Sequence, residues 1–375
     1  MESQDEQIMQ LARERQLQAL AARLQQQQQL QQRGIGVNQM GNQMGQQMGQ
    51  QMGQQMGQQM GTVGSSMATA YDDIPITGPN DLDLFIGQPP SQPDFASFQA
   101  ACRSGQLSII ESIITSEPRT PAFLHQGLVL ALSAGSVGAA RYLLEAGAPI
   151  TRQTPKHILS APEHQKIPLF KLLTQHGWTT NTPGFYGAVL LPQIVTNDAL
   201  LDWFLAHGAD PNLGVQRDNR DRYGEPDSDS CAALETAASH GSVGAVQKLL
   251  SAGAQMGNGA PLYFAAGARP PGANPHPGLV TLSREMDVGR IPVMAELVEH
   301  GADVNQKFQS RHMNPQYPIV NAVRAGAVER VKWLLSQGAD PNLRGAFGSA
   351  TWNAQNMGSD EMKRILQAKD LASKD

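Results

Sequence analysis

Cysteine is scarce: the 375-residue chain has two, Cys102 and Cys231, far apart and in no paired spacing. That excludes a disulfide framework and a cysteine-based zinc site. Aromatic residues make up only 5%, so aliphatic and alanine side chains are expected to fill the core. Basic charge is not in excess: the formal net charge is −5, and a mildly acidic chain draws neither nucleic acid nor an anionic membrane by its overall field. No stretch approaches the ~20 apolar residues of a membrane span. The Glu- and Gln-rich N-terminus has no apolar signal core, and no Asn-x-Ser/Thr acceptor occurs. These observations place the chain in a reducing compartment, cytoplasm or nucleus.

Chemistry-bearing motifs are absent as well. There is no Walker-type phosphate loop, no His-Glu-x-x-His and no Gly-x-Ser-x-Gly, and Gly34 and Gly36 follow no strand. His176, His207 and His300 each stand just before a glycine, where an imidazole suits a helix C-terminus. No catalytic residue, metal ligand or cofactor site is assigned, and the chain is read as a non-enzyme.

What is there falls into three regions. Residues 1–66 are a Gln/Met/Gly-rich tail. Within it, 3–32 has the composition of a short helix, and Leu17, Leu20 and Leu24 sit at coiled-coil spacing for barely one heptad. A Gly-Gln-Gln-Met repeat follows, from Met40 to Gly61. A glycine every fourth residue costs a helix roughly 1 kcal/mol each, so this stretch is expected to be disordered, with a weak tendency to self-associate as Gln-rich tracts have. Residues 67–93 form a linker in which Asp72, Asp73, Asp81 and Asp83 alternate with Ile74, Ile76, Leu82, Leu84, Phe85 and Ile86. It is either a short docking motif or a linker that packs on the edge of the next domain.

From Asp94 onward the chain resembles itself. Ala134–Ala148, His240–Ala254 and Ala325–Ala339 are copies of one helical template. The first glycine of each copy ends a helix in a left-handed turn. Ser136 and Ser242 stand at the N-cap of the next helix. Apolar residues three and four apart, such as Val328, Val331, Leu334 and Leu335, then form one buried stripe. A second glycine closes that helix, and a turn follows: Gly208-Ala209-Asp210-Pro211-Asn212, Gly301-Ala302-Asp303-Val304-Asn305 and Gly338-Ala339-Asp340-Pro341-Asn342.

These turn sequences, with the small pairs Ala100-Ala101, Ala237-Ala238 and Ala265-Ala266 and the openings Pro261-Leu262 and Thr154-Pro155-Lys156-His157, resemble the ankyrin repeat, whose period is about 33 residues. The closing glycines Gly147, Gly177, Gly208, Gly253, Gly301 and Gly338, with a weaker unit at each end, imply an all-α solenoid of about eight ankyrin-like helix-turn-helix repeats with short hairpin fingers over 94–375. Two steps are too long and locate insertions. One, at 213–230, sits where the family has a finger; the other, at 267–289, lies between the two helices of one repeat.

The resemblance implies a scaffold that binds a partner protein through a concave groove and its fingers. Family contacts come from the end of the first helix and from the finger. The matching positions are Arg103, Ser104, Ser133, Ser239, His240 and Arg324, with Arg220, Arg222 and Tyr223 in the extended finger. These positions precede a helix-ending glycine or lie in an insertion and have no stripe partner, so they are expected to be exposed. The expected partners are proteins, with no nucleic acid and no membrane. A different reading makes the chain a regulatory or assembly factor whose tail self-associates while the repeats target it.

Overall fold

The chain divides into two units, Met1–Thr69 and Ala70–Asp375. The computed structural model describes Leu82, 94–270, Ala273, 282–309 and 314–372, all in the second. The expectations for the tail, and those for the linker other than Leu82, lie outside the described residues. No strand occurs among these residues, only two isolated bridges, and no helix is long and apolar enough to cross a membrane.

Eight units follow one another. The first is α1 (Phe95–Ser104) and α2 (Leu107–Ser116); the second is α3 (Pro121–Ala134) and α4 (Val137–Glu145). In the third, a 3₁₀ turn (Thr154–Ser160) replaces the first helix and α5 (Glu163–Gln175) is the second. In the fourth, the four-residue α6 (Leu191–Ile194) precedes α7 (Asp198–Ala206). The fifth holds α8 (Ala232–His240) and α9 (Val243–Ser251). The sixth holds α10 (Pro261–Ala266), then the insertion with its own helix α11 (Arg284–Gly289), then α12 (Ile291–Glu299). The seventh is α13 (Pro318–Ala325) and α14 (Val328–Ser336), and the eighth is α15 (Ala350–Met357) and α16 (Asp360–Ala372). First helices pack on first helices, forming an inner row, and second helices form an outer row. The α11 helix packs against both α12 and α14 in the outer row.

The two turn classes within a repeat follow from the glycine conformation. Gly105, Gly135 and Gly326 are left-handed, at φ 70°, 80° and 74°. The residue after each (Gln106, Ser136, Ala327) sits near ψ 80°, so that Leu107, Val137 and Val328 N–H donate to the glycine carbonyl two residues back. In that conformation Ser136 does not cap its helix; its hydroxyl instead donates to Arg103 O of the preceding repeat (3.3 Å). Gly241 is extended (φ −81°, ψ −179°), which puts Ser242 at ψ 165°, and there the hydroxyl does accept from Ala245 N–H (3.0 Å). The expected serine cap therefore holds at Ser242 and fails at Ser136. The small pair of the first repeat is also shifted by one: Ala101 and Cys102 are buried while Ala100 is exposed.

The Asp-x-Asn turn has a role between repeats. Asp210, Asp303 and Asp340 each accept, through Oδ1, from the N–H of the asparagine two residues on (2.8 Å). The asparagine then reaches the next repeat. Asn305 Nδ2 donates to Gly338 O (3.2 Å), and its Oδ1 accepts from Asp340 N–H (2.9 Å). Asn181 makes the same pair with Gly208 and Asp210, and Asn212 with Gly253 and Gln255. At the equivalent place in the fifth repeat stands Gly257, so this stitch is missing where the sixth repeat, with the insertion, begins.

The core runs through every unit. In the first four it is aromatic: Phe95, Phe98 and Phe123 pack together, as do Phe170, Trp178, Trp203 and Phe204. From the fifth onward it rests on alanines such as Ala237, Ala245, Ala266, Ala322 and Ala354 with leucine and valine. The few aromatics are thus concentrated, and the aliphatic–alanine expectation fits the second half better than the first.

Candidate binding surface

At the ends of the inner helices, Arg103, Ser104 and His240 are exposed. Ser133 and Ser239 are not free surface. Their hydroxyls turn back on their own helices, to Val129 O and Glu235 O (both 2.9 Å), and Ser239 is only 8% exposed. A serine in the last helical turn readily bonds the carbonyl four residues back, and Ser104 does so too, to Ala100 O (2.8 Å); what sets Ser133 and Ser239 apart is that the first is half-buried and the second buried, whereas Ser104 is exposed. Arg324 is half-buried, with its guanidinium 4.5 Å above the Phe347 ring and Nη1 donating to Asn353 Oδ1 (2.9 Å).

The finger after the fourth repeat is organised from within. Gly214 and Asp227 exchange backbone N–H···O bonds of 3.0 Å. Buried Gln216 accepts from Asp221 N–H through Oε1 and donates to Glu225 O through Nε2 (both 3.0 Å). Arg217 pairs with Asp229 (2.9 Å), and Arg220 with Asp218 (2.8 Å) and Asp227 (3.1 Å). Arg222 and Tyr223 are both exposed and pack on one side against Phe185: the Arg222 guanidinium lies 4.2 Å over its ring, and the Tyr223 ring meets it edge-on at 5.8 Å. Tyr186 N–H donates to Arg222 O and Gln216 N–H to Tyr186 O, both 2.8 Å. These two bonds tie the finger to Tyr186, which is left-handed (φ 55°, ψ 31°), a strained conformation for a bulky residue. Tyr186, Tyr223 and Val215 are 36%, 37% and 49% exposed. Tyr186 and Val215 were not singled out by sequence; no local pattern marks them.

Arginines gather at the inner-helix ends beside the insertion. Arg330, fully buried, donates through Nη1 to Ala265 O, Ala266 O and Ala268 O (2.8–3.1 Å), the open carbonyls left where α10 stops short. Its Nε donates to Asp287 Oδ1 of α11 (2.8 Å), and Asp287 also accepts from Glu329 N–H (2.7 Å) at the start of α14. Arg290 Nη1 donates to Gly241 O (2.8 Å) after α8, and Arg269 Nη2 to Arg324 O (3.0 Å) at the end of α13. Burial lowers the pKa of all four arginines Arg269, Arg290, Arg324 and Arg330, and Arg324 is lowered further by Arg269. Arg330 stands where the copies of the template have the buried Ala139 and Ala245. A charge in place of two alanines, in the repeat after an insertion, was the signal that could have found it.

Three cavities open beside these groups. One of 190 Å³ is bordered by His240, Arg269, Met286 and Arg290. A second, of 470 Å³, is bordered by Arg324, Arg344, Phe347, Trp352 and Met357; Trp352 is 51% and Met357 44% exposed. A third, an open cleft of 890 Å³, lies beside Val215, Glu235, Gln306 and Phe308. In it, burial pushes the Cys231 thiol up to about 12 and raises the Glu235 carboxyl, which accepts from Ala260 N–H (2.9 Å). A thiol held protonated is a poor nucleophile. No group of His, Cys, Asp and Glu among the described residues is placed to hold a metal ion. Trp203 is buried in the core and stacked on His207 at 4.0 Å.

A family model, "Ankyrin repeat", matches residues 316–346, which contain α13, α14 and the Asp340–Asn342 turn. The chain thus carries an ankyrin repeat there, and the same pair of helices, glycine closure and turn recur along the described residues. Such repeats generally serve as protein-interaction modules. Comparison with curated proteins gives no match. Among solved structures, the crystal structure of the human ASB11 ankyrin repeat domain is similar at 18% identity, with 72% of this chain and 96% of that chain covered and a TM-score of 0.36.

Proposed function

We propose that this chain is a protein-binding scaffold, acting by recognition and not by catalysis, in the cytoplasm or nucleus. The observation that carries this reading is the finger: two exposed apolar side chains, Val215 and Tyr223, stand on a loop held by its own hydrogen bonds and ion pairs, beside the exposed Tyr186 to which the loop's backbone is bonded. A loop ordered before binding loses little freedom on contact, which favours affinity. The strain at Tyr186 is retained because the finger's backbone holds it. The compartment is supported by Cys102 and Cys231, both buried as free thiols.

Of the candidates, Arg103, Ser104, His240, Arg324, Arg220, Arg222 and Tyr223 remain in the proposed surface. The test is capture of proteins from a cell lysate with the full chain and with Val215→Asp. A surface change of this kind should leave stability within about 0.5 kcal/mol. Capture should weaken by at least ~1 kcal/mol if Val215 lies in the interface core. Retention of every partner by the variant would remove the finger from the reading.

A further inference from the structure

In the fifth to eighth repeats Arg330 pairs with Asp287 and Arg284 with Glu329, but Arg269, Arg290, Arg324 and Arg344 form no ion pair among the described residues. His240, Arg269 and Arg290 border one cavity, Arg324 and Arg344 the next, and neither lining contains a carboxylate. The Arg269 guanidinium bonds the backbone of Arg324, so the two cavities adjoin through that pair. Asp287, the acid that enters this region, is already bonded to Arg330 and to the α14 N-terminus. Arg344 is exposed and has no ion-pair partner among the described residues. The second cavity also has an apolar floor: Phe347, Trp352 and Met357, two of them large and exposed.

We propose that this track, from Arg290 and Arg269 across Arg324 to the pocket of Arg344, Phe347 and Trp352, binds an acidic peptide segment of a partner protein carrying an aromatic or large aliphatic anchor. The inference rests on the scaffold reading and specifies the chemistry of the partner. Carboxylates meet the guanidinium groups, which suit planar oxygen pairs, and the anchor side chain enters the 470 Å³ pocket, a volume within the range of small binding sites. The mutual repulsion of Arg269 and Arg324 is relieved by a bound anion. A polynucleotide is disfavoured because the chain's net charge of −5 gives it no long-range attraction for a polyanion.

The test is fluorescence anisotropy with the full chain and three probes: a labelled peptide Asp-Asp-Phe-Asp-Asp-Leu-Asp-Asp, its analogue with asparagine for every aspartate, and a labelled oligouridylate. The acidic peptide is expected to bind, more weakly as salt rises. The asparagine analogue, Arg344→Glu and Trp352→Ala should each bind at least about tenfold more weakly. Arg344→Gln, with far-UV circular dichroism on every variant, separates loss of binding from loss of fold. Equal binding of the asparagine analogue, unchanged affinity of folded Arg344→Glu, or preference for the oligouridylate would each overturn the proposal. If the peptide fails while the wild-type chain still captures proteins through the finger, the scaffold reading stands and only the track falls. If capture fails as well, both fall.

Discussion

Replacing Asp287 with alanine leaves the guanidinium of Arg330 charged and buried with no counter-charge. Arg330 is 0% exposed and Asp287 4%. The substitution removes the 2.8 Å bond to Arg330 Nε and the 2.7 Å bond from Glu329 N–H at the head of α14. Nη2 of Arg330 is already buried without a hydrogen-bond partner among the described residues, so no spare acceptor stands ready. Breaking one side of a buried pair costs about 3–5 kcal/mol, and that loss is expected for Asp287→Ala. Asp287→Asn keeps the acceptor for Arg330 but turns one oxygen into a donor against the Glu329 amide, and should cost about 1–3 kcal/mol. Adding Arg330→Met to Asp287→Ala removes the stranded charge, so the double variant should be less destabilised than the sum of the single changes. The assay is urea unfolding by far-UV circular dichroism, with hydrogen exchange at the amides of α10 and α14. Exchange is needed because repeat arrays can lose cooperativity, and the damage should concentrate in the sixth and seventh repeats. A loss below about 1 kcal/mol for Asp287→Ala, or one spread evenly over the chain, would refute the view that this pair anchors the insertion.

His125 is buried against Thr151 and Thr154, with Nε2 3.0 Å from Thr154 Oγ1; burial, with a smaller push from His157, lowers its pKa from 6.5 to about 3. The unfolded chain therefore binds the proton first. Stability should be flat above about pH 6.5 and fall between there and about pH 3, by at most ~1.4 kcal/mol per unit from this group. His125→Gln should show a shallower fall in urea midpoint over that window, and an unchanged slope would count against the assignment. Asn305→Ala removes both bonds to the seventh repeat and should cost about 1–3 kcal/mol, with faster exchange at the Asp340 amide. Gly257→Ala, where the ladder is already interrupted and an added Cβ meets nothing within 4 Å, should leave that amide unaffected.

Much of this was legible in the sequence because it is local. Helix stripes, closing glycines and Asp-x-Asn turns obey rules that act over a few residues, and all six closing glycines adopt left-handed φ between 79° and 96°. The repeat template therefore predicted the eight units and both insertions. Side-chain fates were less legible. Ser104, Ser133 and Ser239 occupy equivalent positions in the template and all bond their own helices, but neighbouring repeats cover Ser133 in part and Ser239 almost wholly while Ser104 stays exposed. Ser136 and Ser242 read alike and differ only because the preceding glycine takes two conformations.

The amino-acid sequence by itself determined the class of fold, its approximate number of repeats and the places where it is interrupted, since each rests on short-range periodicity and turn chemistry. Tertiary structure alone decided what the insertions do. Asp287 meets Arg330 across 43 residues and Arg222 meets Phe185, and no local pattern encodes either pair. Whether a side chain is stranded, paired or left open to a partner depends on which distant backbone groups remain unsatisfied once the helices have stacked.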